Sequence, residues 1–315
     1  MKRTKRLTKR SFSCIIRAME SKIAYGKGEL YVGINCVFYT PGFAGRCYKA
    51  LNVSLPGPVA VKVHSGEPGN QNFLRPDFWA PMIDALHGTV VECNTAYEGG
   101  RNRSAAHWET MRMHGWSERF PVDLLDEEGE TVLEVPDGLQ IKQNYVGSHL
   151  DRYASLLVLS HFKGHPMGGF GGSLKNISIG LASSHGKAYI HGAGDPDKLW
   201  TADHNAFLTS MADAACSINR LYAGKIAFIN VMANMSVDCD CCAVAEDPCM
   251  SDIGIFASLD PVALDSACVD LVYNSTDAGK KDLIERIESR NGTLILDAAQ
   301  KLKVGTRAYK LEILD

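Results

Sequence analysis

The sequence predicts an α/β fold, a mainly parallel sheet flanked by helices, with room for two sub-domains. Three observations carry that reading. Strand-like and helix-like segments alternate along the chain, as they do in βαβ units. Leu156-Leu157-Val158-Leu159-Ser160 is almost wholly apolar, the pattern of a strand covered on both faces in the middle of a parallel sheet. The chain has 315 residues, 45% apolar and 22% charged, which is ordinary for one large α/β domain or two smaller ones.

The elements follow in order. Residues 1–18 carry seven lysines and arginines and no acid, so they read as a basic extension without a packed core. Met19 then reads as a natural start, and 19–315 as a single domain with no linker to mark an internal boundary. Val59 to His64 is a strand. Pro76 to Leu86 is a helix opened by proline, with Phe78, Met82, Ile83 and Leu86 at helical spacing. Thr89 to Cys93 is the next strand, and Ser104 to His114 a helix stopped by Gly115. The acidic stretch Pro121 to Gly138 suits two short strands about Glu128-Gly129. After the apolar strand come a long amphipathic helix from Thr201 to Leu221 and a strand from Lys225 to Met232. A short strand from Asp252 to Ala257, helices at Pro261 to Tyr273 and Lys280 to Ser289, and a closing edge strand from Tyr309 to Leu314 complete the chain.

Charge and composition exclude several functions. Without its basic head the chain holds 26 basic against 36 acidic residues, so the body is acidic and a general nucleic-acid partner is not expected. No stretch approaches the roughly 18 uncharged apolar residues of a membrane helix. Ser11–Ile16 is too short and polar for a secretory signal. A cytoplasmic setting follows, in which the ten cysteines are buried thiols, metal ligands or redox groups rather than disulfides.

Four groups of residues could carry chemistry. The first is the exit of the apolar strand, His161-Phe162-Lys163-Gly164-His165-Pro166-Met167-Gly168-Gly169-Phe170-Gly171-Gly172-Ser173-Leu174-Lys175-Asn176. Its glycines allow close approach of backbone N–H groups to an anion, and Lys163 and Lys175 bracket it. A glycine turn needed only for packing explains the same pattern equally well. Neither a dinucleotide fingerprint nor a P-loop is present, so no nucleotide cofactor is expected. The second group is His161, His165 and His64, three imidazoles at strand exits that could meet on one metal. The third is Cys239, Cys241, Cys242 and Cys249, a set competent for a transition metal or an iron–sulfur cluster. In an extended run Cys239 and Cys241 leave one face, so they are the expected pair; Cys249 or a histidine completes the site, and Cys242 is expected buried and inert. The fourth is Arg101 and Arg75, arginines on loops beyond strands, where a carboxylate or phosphate is held.

Several blocks together resemble one family. They are Val59-Ala60-Val61-Lys62-Val63-His64-Ser65-Gly66-Glu67, Asn94-Thr95-Ala96-Tyr97 with Arg101, the 159–176 exit, Cys239-Asp240-Cys241, and Asp252 through Asp265. Over residues 21–315 the chain resembles domain-of-unknown-function family 362, usually labelled an uncharacterised iron–sulfur centre protein. Many members carry a bacterial ferredoxin module after the glycine-rich block. The matching region here, Ser184 through Trp200, has no cysteine, so that cluster motif is absent. Through Leu74-Arg75-Pro76 the family is also distantly similar to the nickel-dependent lactate racemase group. The expectation is thus a metal- or iron–sulfur-linked protein binding a small anion through Lys163, Lys175, Asn176, Arg101, Arg75 and the amides of Gly168, Gly169, Gly171 and Gly172. The alternative is a non-catalytic metal or cluster carrier, or a small-molecule binding module.

Overall fold

The structure, a computed structural model, describes residues 35–40 and 44–314. The basic extension expected at 1–18 lies outside the described residues.

In chain order the strands are β1 (Asn35–Thr40), β2 (Val59–Lys62), β3 (Thr89–Glu92), β4 (Val122–Leu124), β5 (Glu130–Glu134), β6 (Gln143–Gly147), β7 (Ser155–His161), β8 (Lys163–His165), β9 (Gly169–Gly171), β10 (Ile226–Met232), β11 (Gly254–Ser258) and β12 (Tyr309–Ile313). Eight of them form one sheet in the order β12-β1-β11-β10-β7-β2-β3-β4. Every neighbouring pair is parallel except the two made by β11 with β1 and β10. The mainly parallel α/β architecture read from the sequence is therefore present, and the apolar β7 lies inside the sheet between β2 and β10.

The sheet is buried on both faces because its strands alternate. Leu156 and Val158 of β7 join one apolar cluster with Phe228 of β10 and the helices at 204–221 and 261–274. Leu157 and Leu159 join the other, with Val61 of β2, Ile229 of β10 and the helix at 76–86. The helix at Pro76–Leu86 has the expected bounds, with proline in its first turn. The long helix starts at His204, later than expected, because the Asp203 side chain accepts from the Ala206 N–H and caps it there.

The acidic stretch does hold two strands, but they part company. β4 extends the main sheet beside β3, whereas β5 pairs with β6 in a separate hairpin. The glycine-rich exit of β7 is a second hairpin, β8 against β9, followed by a helix at Ser173–Ser178. The polar stretch after it contains a helix at Ser184–His191, capped by Ser183.

Strand order sets the site. Outward from β2 come β3 and β4; outward from β7 come β10 and β11. The reversal falls between β2 and β7, and in open parallel sheets ligands bind beyond the carboxyl ends of the strands at such a reversal. His64 follows β2, His161 ends β7, and the cysteine segment follows β10 on the same rim.

Candidate functional site

Three charged pairs form the base of this rim. Lys62 near the end of β2 meets Glu92 at the end of β3 at 2.7 Å. Arg101 meets Glu67 at 2.8 Å, and Lys163 meets Asp240 at 2.9 Å. All six side chains are at least 95% buried. Burial alone would raise the Glu92 carboxyl, but the Lys62 ammonium outweighs it and holds the group well below the carboxylate range. Burial likewise works against the Asp240 carboxylate, and His161 and Lys163 overcome it. Removing one member of such a pair leaves a buried charge uncompensated, a loss of about 3–5 kcal/mol.

The cysteines sit on this base. The Cys242 N–H donates to Cys239 O at 2.9 Å, so 239–242 is a tight turn rather than an extended run. Asn70 Nδ2 holds the turn through Cys242 O at 2.8 Å, and Tyr97 Oη donates to Cys241 O at 3.3 Å. The result brings together His64, Cys239 and Cys241, whose donor atoms all lie within 4.8 Å of one another. Cys239 is fully buried, and burial would raise its thiol. The hydrogen bond from Cys241 and the charges of Lys175 and Lys163 outweigh that and hold Cys239 well below the ordinary thiol range. Lys175 Nζ lies 3.7 Å from Cys239 Sγ.

Ring tautomers distinguish the three histidines. His161 has an acceptor at each nitrogen, Asp240 at 3.0 Å from Nδ1 and Ala233 O at 2.6 Å from Nε2. Both ring nitrogens are thus engaged within the fold, and His161 orients Asp240. His165 Nδ1 accepts from the N–H groups of Met167 at 3.1 Å and Gly168 at 2.8 Å. That fixes the Nε2–H tautomer, aimed at Cys241 Sγ 3.8 Å away. His64 Nδ1 accepts one longer bond, from the Gly66 N–H at 3.2 Å, and its Nε2 lies 4.0 Å from Cys239 Sγ. Burial pushes the His64 imidazole down to about 4, so it is neutral at pH 7. Ligation through Nε2 moves the ring proton to Nδ1 and forfeits the Gly66 bond. That costs about 1–3 kcal/mol, small against the roughly 10–16 kcal/mol of a structural zinc site. Two thiols and one imidazole suit a soft or borderline ion such as zinc. The donor set fits a metal through His64, not through His161 or His165.

Beside the cysteines opens a cavity of about 290 Å³, whose lining includes His64, His165, Lys175, Cys241 and Cys242. Lys187, His191 and Trp200, from the 184–200 segment, line it as well. Cys242, expected to be inert, is half-buried and faces this cavity, and its side-chain contact with Cys241 lowers its thiol against the effect of burial. Cys249 stays apart, its Sγ donating to Met235 O at 3.3 Å.

The glycine loop contributes less than its composition suggests. The Gly168 N–H goes to His165, and the N–H groups of Ser173 and Leu174 go to the Asp265 carboxylate at 2.8 and 2.9 Å. Gly169 and Gly171 sit in the β8–β9 ladder. Gly169 has φ of +78°, and a Cβ there would meet Gly292 Cα at 2.8 Å. A Cβ on Gly172 would meet Asp265 Oδ1 at 2.4 Å. These glycines answer to packing, and of the loop's anion candidates Lys175 and Asn176 line the cavity. Lys163 and Arg101 are committed to Asp240 and Glu67. Arg75 is exposed and lies over the Phe73 ring at 4.0 Å, away from the cavity.

Sequence reading missed Lys62, Glu92, Asp240 and Lys187. A signal existed for the first two: a lysine inside Val59-Ala60-Val61-Lys62-Val63 and a glutamate ending Thr89-Val90-Val91-Glu92, on strands that pair. Lys187 stands in no motif.

The sequence pattern of a family described as a domain of unknown function (DUF362) matches residues 59–270, and the chain belongs to that family. No curated protein matches the chain. Among solved structures, the apoprotein of a lactate racemase from Thermoanaerobacterium thermosaccharolyticum is similar at 14% identity and a TM-score of 0.46, over 80% of this chain and 61% of that one. A Thermotoga maritima protein is similar at 9% identity and a TM-score of 0.36, over 82% of this chain and 57% of that one. This chain spans less than two thirds of the length of either. Among the described residues no helix is long and apolar enough to cross a membrane.

Proposed function

We propose that the protein is an enzyme that holds a single transition-metal ion through His64, Cys239 and Cys241 and acts on a small anionic molecule in the adjoining cavity. The observation that carries the reading is convergence: the three donor atoms lie within 4.8 Å of one another, and His64 and Cys241 also line the cavity of about 290 Å³. Three protein ligands with a cavity on the fourth side is the arrangement of catalytic rather than structural zinc sites. A carrier that hands its ion to a protein partner would present its thiols at the surface, whereas Cys239 is fully buried.

A bound ion with an open position would polarise an oxygen of the anion. The chain's own residues do the rest. Lys175 stands beside Cys239 and faces the cavity, where it balances the thiolate and holds an anion near it. His165 donates to Cys241 and limits its charge. Asp240, clamped by His161 and Lys163, keeps the backbone of the cysteine turn in place, its carbonyl accepting from the Glu67 N–H at 2.8 Å.

A single ion suits the donors better than a four-thiolate iron–sulfur cluster, because Cys249 is turned to Met235. The nine cysteines of the described residues are free thiols, in keeping with a reducing, cytoplasmic setting. The test is elemental analysis of protein purified without oxygen. About one equivalent of metal in the wild type, lost in Cys239→Ser and Cys241→Ser, is expected. Metal-free wild type that takes up no zinc, cobalt, nickel or iron on titration would contradict the reading.

A further inference from the structure

The cations of the cavity fall into two classes. Lys62 is neutralised by Glu92 and Arg101 by Glu67, and Lys175 faces the Cys239 sulfur. Lys187 has no such partner. It is 94% buried, forms no ion pair among the described residues, and its Nζ donates to one carbonyl, Ala182 O, at 2.6 Å. Two of its three donors are left for a ligand. One helical turn on, His191 lies on the same helix face, and its buried Nδ1 has no hydrogen-bond partner among the described residues. Both side chains line the cavity.

The same cavity also has carbon in its lining, from Ile179 and Leu199, and from Trp200, which is 65% exposed. Burial pushes the Lys187 ammonium down, and an anion seated beside its two spare donors would favour the charged form and offset that cost. A volume of about 290 Å³ is at the lower end of the range for small-molecule sites.

We infer that Lys187 and His191 form the recognition end of the cavity for the anionic group of a small, apolar-bodied organic acid. The body of that acid lies against Ile179, Leu199 and Trp200 and directs its far end at Cys241. The inference rests on the proposed use of the cavity for a small anion and adds which end binds the charge and what kind of body follows it. Lys163 and Arg101, the cations that the sequence pattern favoured, have no part in it.

The test uses 4-fluorobenzoate, observed by fluorine NMR on the full chain, against 4-fluorobenzyl alcohol and acetate. The alcohol keeps the ring without the charge, and acetate the charge without the ring. The benzoate is expected to bind wild type more tightly than either. Lys187→Met, close in volume, should weaken it by about tenfold or more through loss of a charged hydrogen bond. Trp200→Ala, at an exposed site where folding is safe, should weaken it roughly two- to tenfold. Metal content is measured on the same samples. Metal-loaded wild type that ignores the benzoate, or binds benzoate and alcohol equally, overturns the inference and leaves the metal centre standing. Benzoate binding unchanged in both variants also overturns it. Wild type that binds the benzoate as expected but takes up no metal contradicts the metal centre alone.

Discussion

The glycine-rich loop at 164–172 and the cysteine turn at 239–242 were the two loudest signals in the sequence, and they have opposite fates. In the glycine loop and the helix start that follows it, backbone donors are taken within the fold: His165 takes the Gly168 N–H, and Asp265 takes those of Ser173 and Leu174. In the cysteine turn the backbone is held from outside by Asn70 and Tyr97, and the sulfurs are left to face His64, Lys175 and the cavity. Glycine richness tells of close approach. It does not tell what approaches, and here the nearest partner of the loop is the protein itself.

The contrast is sharpened most by Gly172→Val. A Cβ at Gly172 would lie 2.4 Å from Asp265 Oδ1, so a branched side chain must push the carboxylate off the helix start. A loss of more than about 3 kcal/mol in denaturant unfolding is expected. Unchanged stability would mean that the loop has room for a ligand after all. Cys239→Ser should do the reverse, altering stability by no more than about 1 kcal/mol while lowering zinc affinity by more than about a hundredfold in competition with a chromogenic chelator. Equal affinity in the two proteins would remove the cysteine turn from the site.

Asp265 gives a pH signature to the packing role. Burial raises its carboxyl to about 6, against the hydrogen bonds from Leu174, Asn230 and Ser173. In the unfolded chain the group titrates near 3.9. The folded state therefore binds this proton more tightly, so the contribution is fully present below the unfolded value and lost as pH rises to about 6. The change is on the order of 3 kcal/mol. Asp265→Asn should flatten the fall in stability between pH 4 and 6; an unaltered pH profile would show that the carboxylate is not strained by its burial. The smallest effect belongs to Gly171→Ala. A Cβ there makes ordinary contact with Lys163 Cε at 3.6 Å, and a change below about 1 kcal/mol is expected. A larger loss would mean that the hairpin tolerates no side chain at all.

What was legible in the sequence was local. The apolar run at 156–160, the proline-started helix at 76–86 and the strand at 226–232 declared themselves through periodicity, and all three stand within a residue or two of their expected bounds. The short β8–β9 hairpin and the helix at 184–191 did not, because three-residue strands carry no period and Lys187 interrupts an already polar stretch. For the site, residue types were legible and their pairings were not. Nothing in the order of residues says that Lys163 will meet Asp240, 77 positions away, or Arg101 meet Glu67. Those long-range pairs decide which cations are free to bind. The turn geometry was hidden for the same reason: an extended 239–242 would aim Cys242 away from Cys241, and the Cys242 N–H bond to Cys239 O turns it back toward the cavity.

The metal centre is tested most directly by titration of metal-free protein with cobalt(II), which takes the same tetrahedral thiolate sites as zinc and reports them by absorption. Wild type should show the thiolate-to-cobalt charge-transfer band with saturation at one equivalent. The band should vanish in Cys239→Ser and Cys241→Ser and weaken in His64→Ala. It should persist in His165→Gln, whose Nδ1 is held by the Met167 and Gly168 N–H groups and whose Nε2 serves as a donor. Absence of the band in wild type, with Cys239, Cys241 and Cys242 alkylated independently in the presence of cobalt, would contradict the account.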